Sequence, residues 1–280
     1  MKIGRVILTH RQDVVLALKN FYFGAYSDFL VIGCNQLTVE LSKFQQTDNF
    51  KMFGYIRSDF QEGLNGRQFI AWVEAAKRFP KIDAWVIHDY DVLAKVCDKE
   101  VFKHVSLGHY GCVGLPFPNW QPGLPSPVAR DVFPFSRHYV SKDDKPSPDF
   151  CCREKYLIQK FPTSLDGIST VMSGYGDFLA IYRDDLLKLD DHQFSRLPGG
   201  LEQVPHTVLR YYNVQPVDFR AFFSLNISMD NVFYVPFKNT YDISHPVKFW
   251  PGINRPPFKV WCRRLIKLFL GQGYYARSRA

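Results

Sequence analysis

The sequence predicts an α/β fold, with one domain built around a mainly parallel central sheet. Two observations lead to this prediction. The chain has 280 residues, 46% of them hydrophobic and 22% charged, which suits one large globular domain with a full core. In its first half, short apolar runs alternate with segments of helical periodicity, a pattern typical of βα units whose strands run parallel.

The first half contains five predicted strands and two predicted helices. The strands are expected at residues 6–8, 29–32, 52–56, 84–87 and 112–115. A first helix is expected over 12–23 and a second over 68–79, where apolar residues recur at helical spacing until Pro80 ends the pattern. The strand at 84–87 is wholly apolar, which indicates a buried position in the sheet.

The second half begins with a proline-rich insertion over residues 116–150, in which eight prolines interrupt regular structure. Loops of this length in compact domains are often functional lids, so we expect it to cover one side of a cleft. Later elements are expected as strands at 168–172, 178–182 and 232–235, a helix from Asp184 and a helix over 202–211.

The last segment differs from the domain that precedes it. We place the domain at residues 1–255 and a tail at 256–280. Residues 258–270 are predicted to form an amphipathic helix, with an apolar face opposite a face of lysines and arginines. Such a helix can lie in the interface of an anionic membrane, or it can pack its apolar face on the domain.

Charge and cysteine content limit the partners and the compartment. The chain has 35 basic and 27 acidic residues, a net charge of +8, which favours an anionic partner. Its six cysteines form no CxxC pair and are expected to be reduced thiols. No apolar stretch reaches the ~18–20 residues that cross a bilayer. A cytoplasmic protein, peripheral on the cytoplasmic face of a membrane, is therefore expected.

The most informative motif is Asp89-Tyr90-Asp91, directly after the apolar strand at 84–87. Side chains two residues apart on an extended segment point the same way, so both carboxylates can reach one site. Open α/β sheets bind ligands at the carboxyl ends of their strands. Paired carboxylates repel each other unless a cation lies between them, and Mg²⁺ or Mn²⁺ accepts such oxygens together with those of a diphosphate. A solvated turn is the alternative interpretation.

The surroundings of this motif resemble the family-two-like glycosyltransferases of the GT-A fold. Asn65-Gly66-Arg67 precedes a helix that leads to the apolar strand and the DxD motif, in the order found in that family. Residues 173–183 resemble its acceptor-side turn and strand, and residues 199–203 occupy the place of its xED motif. The resemblance spans about residues 3–250, through short motifs, and suggests a bacterial-type enzyme of cell-surface glycan assembly.

The resemblance implies a metal site and a catalytic base. Asp91 would be the principal ligand of Mn²⁺ or Mg²⁺, Asp89 would bind metal or ribose, and His245 would complete the site. Glu202 would be the general base in a reaction that inverts the anomeric centre. The family's Glu-Asp pair is here Glu202 followed by glutamine, so Asp177 is the alternative base.

It also implies the residues that hold the nucleotide sugar. Thr9, His10 and Arg11 follow the first strand, where the family binds the base and ribose. Arg67 would contact the diphosphate and Lys248 a phosphate. For each of these residues an ordinary surface position is the alternative.

The predicted activity is metal-dependent transfer of a sugar from a nucleoside-diphosphate donor to a glycan or lipid-linked glycan, in polysaccharide or lipopolysaccharide assembly. A nucleotidyltransferase of related fold is one alternative, although no glycine follows the first strand to form its phosphate loop. A nucleic-acid-binding protein and a non-catalytic member of the fold are the others. Because the densest basic cluster is the tail helix, nucleic acid is not expected as a partner.

Overall fold

The computed structural model describes residues 1–36, 38–55, 69–120, 170–191, 203–227 and 241–245. The predicted strand at 232–235, the helix at 258–270 and the insertion beyond residue 120 lie outside these ranges. Within them, no helix is long and apolar enough to span a bilayer.

Within the described residues, seven strands form the main sheet: β1 (Ile3–Thr9), β2 (Leu30–Asn35), β3 (Phe50–Tyr55), β4 (Ala84–Asp89), β6 (His109–Cys112), β9 (Phe178–Tyr182) and β10 (Gln215–Asp218). Their order across the sheet is β10-β6-β9-β4-β1-β2-β3. Four of its six neighbour pairs are parallel, namely β1 with β2, β1 with β4, β2 with β3 and β6 with β10, whereas β9 is antiparallel to both β4 and β6. The predicted α/β fold with a mainly parallel sheet is therefore confirmed.

Helices cover both faces of this sheet because consecutive residues of the central strands, which point to opposite faces, are both apolar. Val6 and Leu8 of β1 pack in one hydrophobic cluster, and Ile7 between them packs in another. The first cluster includes side chains from α2, α4 and α5, and the second includes side chains from α1. The helices are α1 (Val15–Tyr22), α2 (Phe69–Arg78), α3 (Asp98–Val101), α4 (Arg183–Leu187) and α5 (Val204–Tyr211).

Two smaller sheets accompany the main one. Three short strands pair in the order β11-β12-β5, with β11 at Leu225–Ile227, β12 at Ile243–His245 and β5 at Leu93–Ala94. Two others, β7 (Phe117–Trp120) and β8 (Val171–Ser173), pair antiparallel. Because β5 follows β4 almost directly, the three-stranded sheet lies close to the carboxyl end of β4.

Several predicted boundaries are wrong. The strand expected at 112–115 is His109–Cys112, because Gly114 adopts a left-handed backbone (φ 77°) that ends the extended segment. The first helix begins at Val15, after a 3-10 turn at Gln12–Val14. The strand expected at 168–172 is Val171–Ser173. The start of the proline-rich insertion is not irregular, because Phe117–Trp120 forms a strand that pairs with Val171–Ser173.

Candidate functional site

The Asp89-Tyr90-Asp91 motif lies at the carboxyl edge of the main sheet, where β4 ends between β1 and β9. The buried residues of β4 fix this position, since its first five residues are inaccessible to solvent. Beyond the strand the chain turns: the Tyr90 amide donates to the Leu8 carbonyl (2.9 Å) and the Val92 amide to the Asp89 carbonyl (3.1 Å). Asp91 is only 9% exposed, so its carboxylate faces the protein and not bulk water.

His245 reaches this turn through strand pairing. It is the last residue of β12, which pairs antiparallel with β5, so that Ser244 lies opposite Leu93. Since β5 begins two residues after Asp91, this pairing brings the imidazole beside that carboxylate. His245 Nε2 lies 3.6 Å from Asp91 Oδ1.

Asp177 comes to the same place from β9. The antiparallel register of β4 and β9 puts Phe178 opposite His88, and the Asp89 amide donates to the Asp177 carbonyl (3.3 Å). Asp177 Oδ2 lies 3.6 Å from His245 Nε2. Three side chains that are distant in sequence therefore form one cluster, Asp91, Asp177 and His245, which we term the carboxylate–histidine cluster.

The side chains of this cluster carry donor atoms of the kind that a hard divalent cation accepts. Carboxylate oxygen and neutral imidazole nitrogen are both donors that Mn²⁺ accepts. Adjacent ligand atoms around an octahedral ion are about 3 Å apart, so the 3.6 Å contacts need only a small contraction. Within the described residues, no group of three or more His, Cys, Asp and Glu side chains is arranged so that it could hold a metal ion by itself. A cation held here would take its remaining ligands from other oxygen atoms or from water.

The residues after β1 contact the same motif through Tyr90. The His10 ring packs edge-on against the Tyr90 ring, with centroids 5.0 Å apart, and the Arg11 guanidinium lies 5.9 Å from that ring. Arg11 also pairs with Asp13, and this hydrogen bond raises the pKa of Arg11. Arg11 thus keeps a fixed positive charge beside the motif.

Thr9 differs from its two neighbours because it is 1% exposed and its hydroxyl is used locally. Its Oγ1 accepts a hydrogen bond from the Arg11 amide (3.0 Å), which shapes the turn after β1. The structure therefore brings His10 and Arg11 next to the motif, with Thr9 as part of the turn that holds them. Arg67, Glu202 and Lys248 lie outside the described residues, and their predicted roles stay predictions.

The sequence interpretation missed the polar residues beneath the motif. His88 is fully buried, and its Nδ1 lies 2.9 Å from the Asp89 carbonyl oxygen. Burial, assisted by the positive charge of Arg5, lowers the pKa of His88 to about 3, so the ring is neutral. Arg5 is also fully buried, within β1. The signal for these buried polar residues in the sequence was Arg5, a charged residue inside the apolar run of the first strand.

Comparison with known proteins gives little beyond this geometry. No protein-family model and no curated protein matches the chain. Among solved structures, an active-site mutant of LgtC has 10% sequence identity and a TM-score of 0.46, covering 94% of this chain and 95% of that one. The galactosyltransferase LgtC in complex with donor and acceptor sugar analogs has 10% identity and a TM-score of 0.45, with 86% of each chain covered.

Proposed function

We propose that this protein is a metal-dependent glycosyltransferase that moves a sugar from a nucleoside diphosphate to a carbohydrate acceptor. The observation that carries the proposal is the carboxylate–histidine cluster at the carboxyl edge of an α/β sheet. Its three side chains come from the turn after β4, from β12 and from the residue before β9, and all have low exposure. A mainly anionic cluster in such a place suits a cation that is itself shared with an anionic ligand.

In this proposal Asp91 and His245 hold the cation, and Asp89 binds either the cation or the ribose. When bound, Mn²⁺ or Mg²⁺ supplies the positive charge that neutralises the diphosphate as it leaves. Arg11, held beside Tyr90 by Asp13, contributes a second positive charge near the nucleotide. We assign His10 to the nucleotide base or ribose, because its ring lies against Tyr90 at the edge of the motif. Arg67 and Lys248 complete the phosphate contacts in the proposal.

Acid–base chemistry is assigned to a carboxylate that removes the proton of the acceptor hydroxyl. Glu202 is the proposed base, and the reaction then inverts the anomeric centre. Glu202 directly precedes Gln203, the N-cap residue of α5. Asp177 is the alternative base, and its place in the cluster supports that role. Proton NMR of the product anomer tests the proposed inversion.

The acceptor and the cellular location are also part of the proposal. A lipid-linked or lipopolysaccharide glycan on the cytoplasmic face of a membrane suits an enzyme whose sequence predicts a basic amphipathic helix at residues 258–270. The support is the sequence pattern of that helix together with the net charge of +8. An anionic membrane surface would then hold the enzyme near its acceptor.

The test of donor binding is calorimetry with a panel of nucleoside diphosphates, with and without Mn²⁺, on the wild type and on Asp91→Asn. We expect one nucleotide to bind only with Mn²⁺, and its affinity to fall by about 100-fold in the variant because a charged ligand is lost. Asp184→Asn is the matched control, since Asp184 is an exposed carboxylate of α4 that contacts Arg183. Failure of the folded wild type to bind any nucleotide with Mn²⁺ would refute the proposal.

The chemistry of the products separates glycosyl transfer from the alternative. Incubation with the nucleotide sugars of the bound nucleotide should release that nucleoside diphosphate. Release of pyrophosphate from a nucleoside triphosphate would instead identify a nucleotidyltransferase, the related fold that also uses carboxylate-bound metal.

A further inference from the structure

A buried polar network lies beneath the turn that carries Asp91. At its centre is Arg5 of β1, which is fully buried. Its Nε donates to Asp98 Oδ1 (2.8 Å), Nη1 to the Ala94 carbonyl (3.3 Å) and Nη2 to the Val96 carbonyl (2.7 Å). One guanidinium therefore fixes two backbone carbonyls in the segment that follows the Asp89-Tyr90-Asp91 motif.

Tyr22 of α1 holds the same segment from the helix side. Its ring is fully buried and lies 4.6 Å from the Arg5 guanidinium carbon. The hydroxyl donates to the Val92 carbonyl (3.1 Å) and accepts from the Ala94 amide (3.0 Å). Together Arg5 and Tyr22 make four hydrogen bonds to the backbone of residues 92–96.

This segment connects the two proposed metal ligands. It begins one residue after Asp91, and it includes β5, whose partner β12 ends at His245. A shift of residues 92–96 would therefore move Asp91 along the chain and His245 through the strand pairing. The spacing of the two side chains depends on how firmly this backbone is held.

Stability alone does not account for a charged residue at this position. Ile7, on the same face of β1, is apolar and fully buried. Replacing a buried ion pair by apolar side chains of similar volume is often neutral or stabilising. The fork of the guanidinium, by contrast, can hold two carbonyls at once, which no apolar side chain does.

We propose that Arg5 and Tyr22 are positioning residues that set the spacing of Asp91 and His245 and thereby the affinity of the site for a divalent cation. The inference rests on the proposed metal-dependent function and extends it to residues that touch neither cation nor substrate. Because backbone hydrogen bonds carry the effect, loss of the Tyr22 hydroxyl, which makes two of the four bonds, should weaken cation binding.

The experiment is a titration of the purified protein with Mn²⁺ alone, followed by the EPR signal of the free ion. Tyr22→Phe should bind Mn²⁺ about 10-fold more weakly than the wild type, the effect typical of losing a partner that orients metal ligands. Tyr182→Phe is the matched control, because the half-buried Tyr182 hydroxyl donates to the Val105 carbonyl (3.3 Å), away from the cluster. Its Mn²⁺ affinity should equal that of the wild type.

Arg5→Lys is the second variant, since lysine keeps the charge beside Asp98 but cannot fork to both carbonyls. Thermal unfolding without metal shows which variants are folded, and a purely structural role would lower the melting temperature without changing the Mn²⁺ dissociation constant. If the wild type binds Mn²⁺ and the folded variants bind it equally well, the inference is overturned while the proposed function stands. If the wild type itself does not bind Mn²⁺, both are overturned.

Discussion

Gly111 of β6 shows how tightly single residues are fitted behind the site. A Cβ atom at this position would lie 1.8 Å from Cζ of Phe219, well inside van der Waals contact. Phe219 in turn packs edge-on against Phe178, with ring centroids 5.8 Å apart, and Phe178 follows Asp177 directly. The space that a side chain at position 111 would need is therefore filled by Phe219, which packs against the residue that follows the candidate base.

Gly111→Ala should lower the free energy of unfolding by about 1–3 kcal/mol, the usual cost of overpacking a core. Chemical denaturation measures this change. The double variant Gly111→Ala with Phe219→Leu is the control, because the smaller side chain makes room for the methyl group. Equal stability of Gly111→Ala and the wild type would show that Phe219 moves away at little cost.

His88 makes a different point at the same scale, because its charge state is set by its surroundings. The ring lies between Tyr22 and Phe178, with centroids at 5.1 and 5.9 Å, and it has no access to water. The His88 ring therefore contacts both Tyr22 of the buried network and Phe178, the first residue of the strand that follows Asp177. A histidine next to a DxD motif could be taken for a metal ligand, but burial places this one in the core.

At the scale of elements, the side-chain hydroxyl of Thr207 in α5 forms a hydrogen bond with the backbone of β8. Thr207 is 2% exposed, and its Oγ1 accepts from the Met172 amide (2.9 Å) and donates to the Gln203 carbonyl (2.8 Å). The two elements are separated in sequence but fixed together at this point. Since Glu202 precedes α5 and Asp177 follows β8, both candidate bases belong to chain segments that this contact joins.

Thr207→Val should cost about 1–3 kcal/mol of stability, because valine has nearly the same shape but leaves the buried Met172 amide without its acceptor. Thr207→Ser keeps the hydroxyl and loses only a methyl group, so it tests whether the hydrogen bond or the packing matters. Urea denaturation of both variants gives the comparison. A larger loss in the serine variant than in the valine variant would assign the contact to packing.

The whole molecule is expected to lose stability in mild acid. Burial lowers the pKa of His88 to about 3 and that of His206 to about 4, whereas an unfolded histidine titrates near 6.5. The unfolded chain therefore binds more protons as the pH falls below about 6.5, and the folded state loses stability in that range. Above this value both forms are neutral and the effect vanishes.

Between pH 7 and pH 5 each of these histidines should remove about 2 kcal/mol from the free energy of unfolding. Urea denaturation at the two pH values measures the total. His206→Gln should reduce the difference by the share of one histidine, because glutamine does not titrate. An unchanged difference in this variant would show that His206 takes up its proton without unfolding.

Much of this architecture could be predicted from the sequence. The sequence predicts the strands β1, β2, β4 and β9 from their apolar runs and the helix α2 from its periodicity. It also predicts that the DxD motif follows a buried strand. These features are local, because a strand or helix with one or two buried faces repeats its apolar residues at a fixed spacing. The α/β class and the placement of Asp89 and Asp91 at a strand end follow from them.

Only the tertiary structure decided which of the candidate residues meet. Strands as short as β5 and β12 have no periodicity of their own, and they are extended because each finds a partner far away in the chain. That pairing brings His245 to Asp91, and the antiparallel register of β9 brings Asp177 to His245. The sequence by itself determined the sheet and the edge at which the site lies. Long-range pairing decided its composition, because contacts between distant segments leave no periodic pattern along the chain.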